Sequence, residues 1–71
     1  MDSNAAWNDL AEAYEEALEN PDLWEAACQK AEDLLQWIKR GGFPPDGTGV
    51  KSFDRLVAMK ACEAVLWMEI V

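Results

Sequence analysis

Histidine is missing from the chain altogether. Its absence removes the commonest general base, the usual imidazole metal ligand, and the Ser-His and Cys-His nucleophile pairs. Conventional histidine-dependent hydrolase chemistry is therefore not expected, and no catalytic, cofactor or metal site is expected. Glycine is scarce as well: all four fall between Gly41 and Gly49, in a stretch broken by two prolines. No strand precedes them and no Gly-Lys-Ser/Thr sequence follows, so a phosphate-cradling loop is excluded. The two cysteines, Cys28 and Cys62, are too few and too widely spaced for a secreted disulfide framework or a zinc site. They read as small buried hydrophobes, with a single bridge between helices as the alternative. Long apolar runs are also lacking. The stretch from Leu56 to Val71 comes closest, but Lys60, Glu63 and Glu69 interrupt it. Met1-Asp2-Ser3-Asn4 has neither the basic nor the apolar region of a signal peptide, so a cytoplasmic protein without membrane contact is expected.

What is present argues for an ordered chain. Hydrophobic residues make up 51% of the sequence and include four tryptophans, whereas disordered chains of comparable charge are poor in both aromatics and large aliphatics. At 71 residues there is room for one core only, so residues 1–71 form a single domain with a thin margin of stability.

Periodicity predicts an all-α, three-helix bundle. Over Asn4 to Glu19, Trp7, Leu10, Tyr14, Ala17 and Leu18 fall on one side of a helix, while Asp9, Glu12, Glu16 and Glu19 fall on the other. Asn20-Pro21 ends this helix, because a residue before proline is pushed out of the helical region. The same pair opens the second helix, Pro21 to Arg40, with Asn20 as N-cap and Pro21 in the first turn. So tight a connection predicts an αα-hairpin that sets the Trp7 stripe against Trp24, Ala27, Ala31, Leu34, Leu35 and Ile38. Lys39 and Arg40 suit the carbonyl end of that helix, and Gly41 suits its left-handed stop. Residues 41–50 read as a loop, with Phe43 packing its ring against the hairpin.

The third helix is expected from Phe53 to the C-terminus with Ser52 as its cap. Its pattern differs from the others. Phe53, Val57, Ala61, Ala64 and Met68 form one apolar stripe; Leu56, Met59, Leu66 and Ile70 form a second. A helix apolar over so much of its circumference is covered on more than one side. Either it lies in the groove of the hairpin, or one stripe meets a partner. Two companion helices in so short a chain have little surface to cover both, which points to a homo-oligomer assembled through this helix.

Charge is distributed unevenly. The first twenty residues hold six acidic side chains (Asp2, Asp9, Glu12, Glu15, Glu16, Glu19) and no basic one, and the whole chain carries −8. Direct nucleic-acid binding is disfavoured, because the phosphate term would be repulsive. Lys30, Lys39, Arg40 and Lys51 form at most a modest basic cluster near the loop. The acidic pairs at i, i+3 and i+4 spacing have the reach to share a cation, but that spacing arises on any solvated acidic face. Asp46-Gly47-Thr48-Gly49 resembles part of a calcium loop in composition alone. Among the aromatics, Trp7 and Trp24 belong to core stripes, whereas Trp37, at the margin of the second helix beside Phe43, Pro44 and Pro45, is read as tethering the loop, with an exposed apolar patch formed by Trp37 and Phe43 as the alternative. The expected function is a non-enzymatic protein-interaction module that self-associates through Met59, Leu66 and Ile70, with Trp37 and Phe43 nearby. The alternative is an acidic decoy that presents Asp9, Glu12, Glu16 and Glu19 to a basic protein.

Overall fold

Residues 1–70 are described in the computed structural model, with side chains through Met68. Helix α1 runs Ser3–Glu19, α2 runs Trp24–Lys39 and α3 runs Lys51–Ile70. This is the expected all-α three-helix bundle.

The ends are set by side chains. Asp2 caps α1, its carboxylate accepting from the backbone of Asn4 (3.1 Å) and Ala5 (3.2 Å), so the helix starts one residue earlier than the periodicity suggests. Asn20 accepts from Asp22 N at 3.2 Å, as its place before proline implies. The α-helix does not begin at Pro21, however. Pro21–Leu23 form a 3₁₀ turn first, and α2 proper opens at Trp24. Gly41, at φ +95°, stops α2 in the left-handed conformation that glycine adopts without a Cβ penalty. The cation at this helix end was not anticipated: Arg55 reaches across from α3 and donates to the Ile38 carbonyl at 2.6 Å.

Helix α2 is the centre of the molecule. Both α1 and α3 pack extensively on it, and it contributes Ala27, Cys28, Ala31, Leu34, Leu35 and Ile38 to the core. Leu10 and Ala17 enter from α1, and Ala58, Cys62 and Val65 from α3. Alanines at the contact lines let the helix axes approach closely, so Leu34 and Ile38 are wholly enclosed. Tyr14 and Trp24 meet edge to face, ring centroids 5.8 Å apart, across the α1–α2 corner. Trp24 is therefore half-buried rather than central.

The two expected stripes of α3 are corrected. The helix begins at Lys51, and Ser52 lies in its first turn instead of capping it. Its buried line is neither stripe but the seam between them, Asp54, Ala58, Cys62 and Val65, at i, i+4, i+8 and i+11. Phe53, Val57, Ala64 and Met68 of the first stripe are exposed, and Ala61 is half-buried. In the second stripe Met59 and Leu66 are half-buried against the core while Leu56 is exposed; the side chain of Ile70 lies outside the described residues.

Candidate functional site

The outer helices, α1 and α3, lean on α2 without closing on each other. Between them lies a groove of about 320 Å³. Trp7, Leu10, Ala11 and Tyr14 form its α1 wall, and Ala61, Ala64, Val65 and Met68 its α3 wall. Every lining side chain is apolar or aromatic, and the Tyr14 hydroxyl and the Trp7 indole N–H are its polar side-chain groups. The cause is local. The first apolar stripe of α3 turns toward α1, but Ala11, Ala61 and Ala64 are too short to span the gap that Trp7 and Tyr14 hold open.

An acidic line adjoins the groove. Glu15 lies four residues after Ala11 and three before Leu18, on the strip of α1 next to the wall, and Glu12 and Glu19 share its edge. Asp9 and Glu16 fall farther round. All five carboxylates are exposed, and the one ion pair among the described residues is Lys60 with Glu63, at 3.7 Å on α3. The acidic face is thus wholly solvated, as its spacing suggested.

The apolar candidates do not converge on one surface. Trp37 is half-buried against the core, and its indole N–H donates to the Phe43 carbonyl at 3.0 Å. The Phe43 ring does not pack on the hairpin. It is 68% exposed, with the Lys51 ammonium 4.9 Å from its centroid. Pro45 is buried and Pro44 half-buried, so of the expected patch Phe43 alone is open. Met59 and Leu66 sit on the side of α3 away from the groove.

The loop from 41 to 50 is locked, and its polar groups are used internally. Asp54, 8% exposed, draws in the turn: its carboxylate accepts from Gly47 N (3.3 Å), Thr48 N (2.9 Å), Thr48 Oγ1 (3.0 Å) and Gly49 N (3.2 Å). These donors, Thr48 first, hold its carboxyl below the ordinary carboxylate range against the opposing effect of burial. The resemblance to a calcium loop fails here for a physical reason: the loop directs N–H donors inward, where a cation needs oxygens. A second latch joins Asp46 to α1. Asp46 N donates to Asn4 Oδ1 at 2.7 Å, and Asn4 Nδ2 donates to Asp46 Oδ2 at 3.2 Å.

Both cysteines are buried. Cys28 Sγ lies 4.0 Å from the Val65 carbonyl. Desolvation, with a smaller contribution from Glu63, pushes the Cys62 thiol up to about 11, the opposite of what a nucleophile requires. Among the described residues no cluster of three acidic, cysteine or histidine side chains is placed to hold a metal ion, and no helix is long and apolar enough to cross a membrane.

Sequence reasoning placed Trp7, Leu10 and Tyr14 on a core stripe and Ala61, Ala64 and Met68 on an apolar stripe of α3, assigned Ala11 and Val65 to neither, and so missed the site. The available signal was the alanine content of both walls, since residues 11, 61 and 64 are small where two helices must meet. Comparisons with protein-family models, curated proteins and solved structures give no match to this chain.

Proposed function

We propose that this chain is a non-enzymatic, cytoplasmic protein-interaction module whose docking surface is the apolar groove between α1 and α3. The observation that carries the reading is a two-walled groove of about 320 Å³ in a domain of 71 residues. A cleft of that size with apolar walls suits a few inserted side chains of a partner. The raised thiol of Cys62 and the lack of histidine support a binding role over a chemical one. The test is an Ala64→Arg variant, which places a charged side chain into the groove from an exposed position. Its helical circular dichroism should match wild type, and binding of apolar helical peptides should disappear. Peptide binding that survives Ala64→Arg removes the groove from consideration.

Self-association through α3 is a second reading, favoured by Leu56 and Trp67, which are 52% and 65% exposed on its outer side. Sedimentation equilibrium at micromolar concentration should then show a dimer that Trp67→Glu dissociates. A wild-type monomer rules this second reading out and leaves the groove reading intact.

A further inference from the structure

We infer that the occupant of the groove is one amphipathic helix from a basic protein, its apolar anchors seated between α1 and α3 and its flanking cations facing the α1 carboxylates. The inference rests on the groove being a docking surface and goes further by naming the chemistry of what docks. Two observations lead to it. The first is length. Trp7 to Tyr14 on one wall and Ala61 to Met68 on the other each span seven residues, about 10.5 Å at 1.5 Å per residue. That equals the i to i+7 spacing of anchors on one face of a helix, so three side chains at i, i+3 or i+4, and i+7 fill the groove from end to end.

The second observation is charge. The strip of α1 bordering the groove carries Glu15, with Glu12 and Glu19 on the same edge; all are exposed, and α1 contains no cation to neutralise them. A helix lying in the groove presents the residues beside its anchors to this edge, at distances where opposite charges attract and like charges repel. A second copy of this chain is disfavoured as occupant, because it would bring another net −8 to the same edge. An acidic or neutral helix gains only the apolar contact. The α3 edge of the groove adds an aromatic border instead: Trp67 is exposed three residues beyond Ala64 and is positioned to cover the stems of long basic side chains.

The experiment uses the full chain and two synthetic helical peptides with the same leucine anchors at i, i+4 and i+7. One has lysine and arginine at the flanking positions, the other glutamate and glutamine. Binding is measured by isothermal titration calorimetry at low and at physiological salt, with wild type, Ala64→Arg, and the triple variant Glu12→Gln/Glu15→Gln/Glu19→Gln. The basic peptide should bind at least tenfold more tightly than the acidic one at low salt. The triple variant should lose most of that preference, salt should narrow it, and Ala64→Arg should abolish binding of both peptides. Equal affinity for the two peptides, lost in Ala64→Arg, overturns the basic-partner inference while the groove survives as a docking surface. Basic-peptide binding that persists in Ala64→Arg overturns both, since the carboxylates then act alone. Failure of both peptides to bind, together with a dimer that Ala64→Arg dissociates, shows a second copy in the groove and overturns the inference but not the interaction role. Failure of both peptides with a strict monomer overturns inference and role together.

Discussion

Adding one methyl group at Gly42 should do more damage than most surface substitutions in this chain. A Cβ built there lies 2.2 to 2.4 Å from Cε2, Cδ2 and Nε1 of Trp37, well inside van der Waals contact and against the rigid centre of an indole. The ring has little freedom to yield. Its N–H is committed to the Phe43 carbonyl, and the Gly42 amide donates back to the Trp37 carbonyl at 2.9 Å. Overpacking of this kind destabilises by about 1–3 kcal/mol. Losing the indole hydrogen bond adds about 0.5–1.5 kcal/mol. The expected total for Gly42→Ala is therefore about 3 kcal/mol, against an overall stability of roughly 4–10 kcal/mol for a domain of this length. By the usual scaling for small domains, Tm should fall by roughly 12–24 °C. Thermal and urea unfolding followed by far-UV circular dichroism measures this directly. Gly41→Ala is the control. Nothing lies within 4 Å of its Cβ, so only the positive φ opposes it, at about 1–2 kcal/mol. The decisive comparison is a double-mutant cycle with Trp37→Leu. With the indole gone, the Gly42→Ala penalty should shrink to under about 1 kcal/mol, and the Gly41→Ala penalty should stay unchanged. Equal Gly42→Ala penalties in both backgrounds would refute the steric argument.

Three further outcomes are expected. Asp54→Ala should loosen residues 47–49, seen as faster amide exchange at Thr48 and Gly49, and Asp54→Asn should rescue little because its amide meets the loop's N–H groups donor to donor. Since the Asp54 carboxyl is depressed from 3.8 in the folded state, its contribution is present above about pH 4 and is lost as pH falls further; acid titration should show wild type and Asp54→Asn converging in stability below that point. The Cys62 thiol, raised to about 11, should resist alkylation in the native state at pH 8, and native stability should decline as pH rises from 9 toward 11, because the unfolded chain gives up its thiol proton first. Removing that decline is the test for Cys62→Ala. Arg55→Met should lower stability by about 1 kcal/mol through the lost contact with the Ile38 carbonyl, while Lys39→Met, at an exposed position with no such bond, should have an effect of less than about 0.5 kcal/mol.

The legibility of the fold followed residue size and locality. Helix α1 was readable because its bulky residues and its carboxylates separate cleanly, and Asn20-Pro21 and Gly41 punctuate the chain by backbone sterics that do not depend on context. Helix α3 was misread because large side chains dominate any pattern of periodicity, whereas its buried seam is made of Ala58, Cys62 and the charged Asp54. An aspartate enters that seam only when a loop supplies four donors, and the sequence of α3 alone does not contain that information. The groove was invisible for a related reason. It is a shortfall of volume between two stripes, each of which looks like ordinary core. The acidic face, by contrast, was read correctly as exposed from spacing alone, although its position beside the groove required the helices to be placed first.

The central position of α2 also bears on how quickly the chain folds. Its extensive helix contacts join neighbours in sequence, first with second and second with third, so each docking event closes only a short length of backbone. Topologies of this kind have low contact order and fold in microseconds to milliseconds. The clasp between Asn4 and Asp46 spans 42 residues and is expected to form last. A rapidly forming scaffold with one late, distant fastening exposes its greasy surfaces only briefly during synthesis, which suits the proposed use of one such surface for docking.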